Sequence, residues 1–155
     1  MCRCTHDEGA LVLSVLSSDR LHATTVSIGG QGVLLEGPSG IGKSDLALRL
    51  IDRGAMLVSD DQTIVVRSGT RLLAHAPASI AGQIEVRGLG IIAMHYVVDI
   101  PIALLVRLGE QVPRMPELEA RRIAGVDIPV LLLEPRQASA PLKVELALTH
   151  GILAA

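Results

Sequence analysis

The chain has 155 residues, enough for a sizeable core, and we expect residues 1–155 to form a single domain. Apolar residues make up 49% of the sequence, yet Tyr96 is the only aromatic residue, so the core must be built from Leu, Ile, Val and Ala. The net charge of −2, without a Lys/Arg-rich run or base-stacking aromatic residues, argues against a nucleic-acid-binding protein.

The N-terminal segment, MCRCTHDEGA, has no positively charged region followed by an apolar run, so we expect no signal peptide. Cys2 and Cys4 are too close together for an unstrained bridge and too few for a zinc site. We interpret them as free thiols in a reducing cytosol. The longest apolar stretch, residues 91–106, contains charged residues and proline and is too short to cross a bilayer, so we expect a cytoplasmic protein without a membrane span.

The chain then alternates short apolar segments with amphipathic ones. Runs bounded by glycine, proline or acidic residues predict strands at 22–30, 32–37, 55–61, 63–68, 71–77 and 102–108, with a hairpin around Gly69. Helical spacing predicts a helix over residues 44–53, ended by Gly54, and a terminal helix over 142–153. A strand–helix–strand unit with strand-rich flanks predicts an α/β domain.

The segment after the second predicted strand matches the pattern G-x-x-x-x-G-K-[ST]. Glycines without Cβ atoms let backbone N–H groups approach an anion, and the following helix adds its positive N-terminal end. Lys43 would bridge the β- and γ-phosphates, and the Ser44 hydroxyl would reach Mg²⁺. The alternative is a glycine-rich turn without a ligand, but the apolar strand before it and the helix after it favour a nucleotide-binding loop. The loop comprises Gly37, Pro38, Ser39, Gly40, Ile41, Gly42, Lys43 and Ser44.

Two acidic residues, Asp60 and Asp61, end the next apolar strand. Only one short helix separates this strand from the phosphate-loop strand, so a right-handed crossover should place both in one parallel sheet. Their C-terminal ends would then lie at the same edge, where α/β sheets bind ligands. One carboxylate could hold Mg²⁺ and the other could act as a general base towards an incoming hydroxyl. A solvated turn is the alternative explanation.

A third segment, QIEVRGLGII, places Glu85 and Arg87 on one side of an extended stretch. A carboxylate suits a metal ion and a guanidinium suits phosphate oxygens, so the two side chains fit a Mg²⁺–phosphate site. By spacing alone, a surface ion pair explains them equally well.

These segments, HATTVSI, GVLLEGPSGIGKSDLALRLIDRGAMLVSDD and IEVRGLGII, resemble the HPr kinase/phosphorylase family in that order. The length resembles the compact form of some proteobacteria, which comprises only the C-terminal catalytic domain. The resemblance implies a P-loop (Walker A) kinase-like α/β domain with a mixed, partly parallel β-sheet.

The resemblance also implies a bifunctional enzyme. As a kinase it would use ATP and Mg²⁺ to phosphorylate a serine of an HPr-like phosphocarrier protein. As a phosphorylase it would attack the phosphoserine with inorganic phosphate and release pyrophosphate. The resemblance further implies a homo-oligomer, which is a hexamer in the family. Carried over by motif, the resemblance assigns catalytic roles to His22, Lys43 and Asp61 and Mg²⁺ binding to Ser44 and Glu85. From their positions and chemistry, we expect Asp60 and Arg87 to contribute to nucleotide binding.

The resemblance is looser towards the C-terminus. Arg114, in VPRMPE, is the counterpart of the family's catalytic arginine. The family's Pro-Gly-Arg-Asn loop corresponds to EPRQ at residues 134–137, where Arg136 stands in for the loop arginine but the glycine and asparagine are absent. This difference bears more on the phosphorylase activity than on the kinase activity.

Two other function classes remain as alternatives: a different P-loop enzyme, either a small-molecule kinase or a GTPase, and a nucleotide-sensing module. A small-molecule P-loop kinase would need a lid rich in arginine, and no segment has that composition. A GTPase would need an Asn-Lys-x-Asp motif, and the chain contains no asparagine. A nucleotide-sensing module without turnover would need the phosphate loop but no general base, so Asp60 and Asp61 weigh against it.

Overall fold

The computed structural model describes residues 17–151, which form an α/β fold. Within this range the helices are α1 (Lys43–Asp52) and α2 (Ala140–His150), and a short 3-10 helix covers Ala78–Ile80. The strands are β1 (Ser18–Leu21), β2 (Ala23–Ile28), β3 (Gln31–Glu36), β4 (Met56–Ser59), β5 (Thr63–Ser68), β6 (Arg71–His75), β7 (Gln83–Val86), β8 (Gly90–Ala93), β9 (Ile100–Leu108), β10 (Glu119–Ile123) and β11 (Val126–Leu133).

The main sheet is mixed, which confirms the expected fold class. Its strands follow the order β1-β5-β6-β9-β3-β2-β4, while β11 also pairs with β9 and β10 pairs with β11. The pairs β3–β9 and β9–β11 are parallel, and the other pairs in this sheet are antiparallel. The hairpin β7–β8 forms a separate two-stranded sheet.

The two strands that precede the phosphate loop and the paired acids were expected in one parallel sheet, but this part of the sheet is antiparallel, which corrects that expectation. Strand β2 lies between β3 and β4 and is antiparallel to both. The reason is the tight turn at Gly29 and Gly30, both with positive φ, which folds β2 directly against β3. Because β3 and β4 still run in the same direction, their C-terminal ends share one edge of the sheet.

The predicted strands at 22–30, 32–37, 55–61, 63–68, 71–77 and 102–108 correspond to β2, β3, β4, β5, β6 and β9. The predicted helix over 44–53 is α1, and the predicted terminal helix begins two residues earlier, at Ala140. Strands β1, β8, β10 and β11 were not predicted. The sequence of β10, EARRI, is polar and mostly exposed, and Pro129 interrupts the apolar pattern of β11, so neither carries a clear strand signal.

The core lies on both faces of the sheet. In β3, Val33 and Leu35 pack in a cluster with residues of α1 and α2, whereas Leu34, between them, packs in a second cluster on the other face. All three side chains are fully buried, which explains why this strand is a continuous apolar run.

Two of the sequence-based expectations concern membranes and cysteines. Within the described part of the chain, no helix is both long enough and apolar enough to cross a bilayer. Cys2 and Cys4 lie outside the described residues.

Candidate active site

The segment predicted as the phosphate loop joins the end of β3 at Glu36 to the start of α1 at Lys43. Two glycines fix its shape. A Cβ atom on Gly37 would lie 2.9 Å from Cγ2 of Ile41, and Gly42, at the N-cap of α1, has a φ of 115°. Neither position accommodates another residue without strain, because one lacks space and the other lies in the left-handed region.

Lys43 is the first residue of α1, and it is only 7% exposed. Its ammonium donates to the carbonyl oxygens of Gly37 at 2.7 Å and Pro38 at 3.2 Å. These bonds satisfy a largely buried charge and hold the ammonium against the loop itself. The lysine is therefore already at the place where an anion bound by the loop would need a cation.

Asp60 is buried, at 7% exposure, directly after the end of β4. Its Oδ1 accepts hydrogen bonds from the Ser44 hydroxyl at 2.6 Å and the Thr24 hydroxyl at 3.0 Å. Its Oδ2 accepts a bond from the backbone N–H of Glu85 at 2.9 Å. One carboxylate thus connects α1, β2 and β7, and it fixes Ser44 and the backbone of Glu85 relative to each other.

Asp61, the next residue, is exposed where Asp60 is buried. Its side chain is 61% exposed and its φ of 67° lies in the left-handed region, which Asp tolerates better than most residues. Its backbone N–H donates to the Thr24 hydroxyl at 3.1 Å. The Nε2 atom of His22 lies 3.6 Å from Oδ1 of Asp61. The exposed carboxylate is therefore anchored through its backbone and has an imidazole beside it.

A cavity of about 570 Å³ lies over these residues. Most of the predicted site residues line it: Ser39, Gly40, Ile41, Gly42, Lys43, Ser44, Asp60, Asp61, Glu85 and Arg87. A smaller cavity of about 270 Å³ lies alongside, and Asp60, Asp61 and Glu85 line both cavities. The paired acids therefore lie at the boundary between the two cavities.

Four predicted site residues lie outside the lining of the larger cavity. Gly37 and Pro38 contact the site through their carbonyl oxygens, which accept hydrogen bonds from Lys43. His22 lies next to Asp61. Arg114 is exposed in the segment between β9 and β10, and the structure does not bring it to either cavity.

The structure adds residues that sequence reasoning missed. Thr24 bonds to both acids, but a threonine in a strand carries no distinctive signal. Arg49 and Pro135 also line the larger cavity. They accompany Arg136, which the sequence had already singled out.

The donor groups at this site fit Mg²⁺. The Ser44 hydroxyl and the Asp60 and Glu85 carboxyl groups are hard oxygen donors, and all three residues line the larger cavity. Across residues 17–151, no group of three or more His, Cys, Asp or Glu side chains is arranged to hold a metal ion. Mg²⁺ at phosphoryl-transfer sites is typically held by one or two side chains and by substrate phosphates, and Ser44 with Glu85 would supply that number.

Comparison with known proteins gives consistent matches. A family model described as HPr Serine kinase C-terminal domain matches residues 14–100. An HPr kinase/phosphorylase of Mycoplasma genitalium is 49% identical over 73 residues, which cover 47% of this chain and 24% of that protein. One from Malacoplasma penetrans is 34% identical over 127 residues, which cover 73% of this chain and 42% of that protein. This chain thus spans a minor part of the length of these relatives.

A solved structure is also similar. The structure described as the Hpr(Ser) kinase/phosphatase from Coxiella burnetii aligns with a TM-score of 0.70 and 30% sequence identity. The alignment covers 82% of this chain and 91% of that one.

Proposed function

Because the chain belongs to the HPr serine kinase C-terminal domain family, we propose that it is an ATP-dependent kinase that phosphorylates a serine of an HPr-like phosphocarrier protein. The observation that carries the proposal is the difference in burial and contacts between two adjacent acids. Buried Asp60 ties the phosphate-loop helix to Glu85, and exposed Asp61 stands beside it between two cavities.

The larger cavity would hold the nucleotide. Backbone N–H groups of the phosphate loop and the N-terminal end of α1 would bind the phosphates, and Lys43 would exchange its carbonyl partners for phosphate oxygens. Ser44 and Glu85 would hold Mg²⁺. When bound, Mg²⁺ offsets negative charge on the transferring phosphoryl group.

Asp61 would act as the general base. In the kinase direction its carboxylate takes the proton of the acceptor serine as the serine oxygen forms its bond to the γ-phosphorus and the bond to ADP breaks. The imidazole of His22 lies beside this carboxylate, with Nε2 3.6 Å from Oδ1, and would complete the proposed catalytic group. The exposure of Asp61 supports this role, because an acceptor on another protein must reach it from outside.

Arginines would offset the charge on the phosphoryl oxygens. Arg87 and Arg136 line the larger cavity, and both are candidates for contact with phosphate. Arg114 stays a prediction for the same role, and it would need the segment between β9 and β10 to move towards the site.

The reverse activity is part of the same proposal. Inorganic phosphate would enter the larger cavity and attack the phosphorus of the phosphoserine, giving pyrophosphate and free serine. The serine oxygen would regain its proton from Asp61, as microscopic reversibility requires. We further propose a homo-oligomer, by family resemblance a hexamer, working in the cytoplasm, where ATP and a phosphotransferase-system carrier are both present.

The test is a transfer assay with Mg²⁺, γ-labelled ATP and an HPr-like carrier. We expect label on a carrier serine with the wild-type chain and a rate lower by roughly 10² or more with Asp61→Asn, which removes the base. Adding inorganic phosphate to the labelled carrier should then release labelled pyrophosphate.

The matched control is Asp99→Asn. Asp99 is also exposed, also has a positive φ of 54°, and also lies beside a histidine, with Oδ1 3.9 Å from Nδ1 of His75. It lines neither cavity. Normal transfer with Asp61→Asn would exclude Asp61 as the base. A wild-type chain that binds ATP but leaves the carrier unlabelled would exclude the carrier kinase.

A further inference from the structure

Arg49 makes a set of contacts that the proposed phosphoryl transfer does not use. It lies in the last turn of α1, with 31% of its side chain exposed. Its guanidinium donates to the backbone carbonyls of Pro135 and Gln137, and its Nε donates to Oδ2 of Asp45 at 3.2 Å. The carboxylate orients the guanidinium, and the two carbonyls belong to a segment more than 80 residues further along the chain.

That segment, residues 134–137, connects β11 to α2, and we call it the 134–137 loop. Other contacts also fix it. The Lys143 ammonium donates to Oε1 of Gln137 at 2.6 Å, and the Arg136 N–H donates to Oε1 of Glu134 at 3.0 Å. A Cβ atom on Gly42 would lie 3.8 Å from Pro135, so the loop rests on the phosphate loop. Its backbone is therefore held at several points.

The side chain of Arg136 contrasts with this fixed backbone. It is 70% exposed, and its partner within residues 17–151 is Glu110, at an Nη1–Oε1 distance of 4.0 Å. Arg136 nevertheless lines the larger cavity, as do Gly42 and Lys43. A cation on a fixed backbone with a loosely held head group is suited to capture a phosphate at that place, because little backbone entropy remains to be lost on binding.

We propose that Arg49 is a positioning residue, which fixes the 134–137 loop against the phosphate loop so that Arg136 meets the phosphates of a bound nucleoside triphosphate. The proposal rests on the proposed function to the extent that the larger cavity binds a nucleotide. Arg49 acts through the loop backbone, and the contact with phosphate is made by Arg136.

The first experiment measures the affinity for Mg-ATP by calorimetry in Arg49→Met, Arg136→Gln and the double variant. Each single change should weaken binding about tenfold, the equivalent of one charge-assisted contact. If Arg49 acts through Arg136, the double variant should bind about as well as either single variant. Arg49→Lys should be intermediate, because an ammonium reaches one carbonyl but does not reproduce the fork. A double variant weakened about a hundredfold would overturn the proposal, because Arg49 would then act independently.

The second experiment needs no nucleotide. Trypsin cleaves after Arg136 when the loop opens, and mass spectrometry locates the cut. We expect Arg49→Met to raise the rate of cleavage at this bond about tenfold. An unchanged cleavage rate would overturn the proposal that Arg49 holds the 134–137 loop in place.

Arg53→Met is the matched control. Arg53 lies one turn later, and its guanidinium binds Glu145 of α2 at 2.8 Å instead of the 134–137 loop. The Arg53→Met variant should be less stable, but its affinity for Mg-ATP and its rate of trypsin cleavage after Arg136 should be unchanged.

The two proposals fail differently. Suppose that the double variant binds Mg-ATP about as well as either single variant, but the carrier stays unlabelled in the transfer assay. This result would exclude the carrier kinase and support the role of Arg49. A wild-type chain that does not bind Mg-ATP would overturn both.

Discussion

Replacing Asp60 by asparagine tests whether this acid holds the site together. The side chain is buried and accepts three hydrogen bonds, two at Oδ1 and one at Oδ2. Asparagine has the same shape but one acceptor oxygen. If its amide group faces the Glu85 N–H, two donors oppose each other. If it faces the hydroxyls of Thr24 and Ser44, both must turn round to accept.

The expected cost follows from these contacts. A hydrogen bond to a charged group contributes about 1.5–3 kcal/mol net, and a buried donor without an acceptor costs about 1–3 kcal/mol. Removing the buried charge recovers part of this loss. We therefore expect Asp60→Asn to lower the free energy of unfolding by about 2–4 kcal/mol, a large share of the roughly 5–15 kcal/mol typical of a domain. Asp61→Asn should change it by no more than about 0.5 kcal/mol, because the side chain is exposed and asparagine tolerates the positive φ.

The assay is urea unfolding followed by far-UV circular dichroism, because the chain has no tryptophan. With a slope of about 2 kcal/mol/M, the middle of the typical range, the midpoint of Asp60→Asn should fall by roughly 1–2 M. Equal losses in the Asp60 and Asp61 variants, or a larger loss at Asp61, would refute the assignment of a structural role to Asp60 and an exposed chemical role to Asp61.

Three further changes test other parts of the structure. Lys43→Ala should weaken Mg-ATP binding by about tenfold or more, because it removes the loop's cation, and an unchanged titration would contradict the phosphate-loop assignment. Gly82→Ala should lower the free energy of unfolding by about 2–3 kcal/mol, because φ is +72° and the new Cβ would lie 2.9 Å from the ring of the only aromatic residue. Gly69→Ala, with a φ of +64° but open space around it, should cost only about 1–2 kcal/mol, and equal losses would argue against the steric contact. The hydrogen bond from Arg122 lowers the pKa of Asp127, so this pair stabilises the fold above about pH 4 and loses its effect as the pH falls through the lowered pKa. An NMR titration should give a higher Asp127 midpoint in Arg122→Ala, and an identical midpoint would contradict the pairing.

Much of the site could be predicted from the sequence because its parts are local. The glycines, lysine and serine of the phosphate loop follow one strand and begin one helix, and the paired acids follow the next predicted strand. Strand direction then brings both sets to one edge, and this held although β2 separates the two strands. Glu85 and Arg87 were predicted by their alternation and their resemblance to a family motif, and both line the cavity.

The family resemblance assigned different roles to the two acids and to the arginines, but residue type and spacing alone could not tell them apart. Asp60 and Asp61 are chemically identical neighbours, and only the tertiary structure buries one and exposes the other. The bonds of Arg49 to the 134–137 loop join positions more than 80 residues apart, and no local pattern indicates them.

The sequence by itself predicted the helices and most strands of residues 17–151. It also pointed to the phosphate-loop segment and to the family, because periodicity and turn chemistry act over a few residues. The tertiary structure decided the strand order, the separate β7–β8 hairpin and the partner of each polar side chain. These features depend on which segments, far apart in the sequence, pack against each other. The free energy gained by burying their apolar surface depends on the whole core and not on any local pattern.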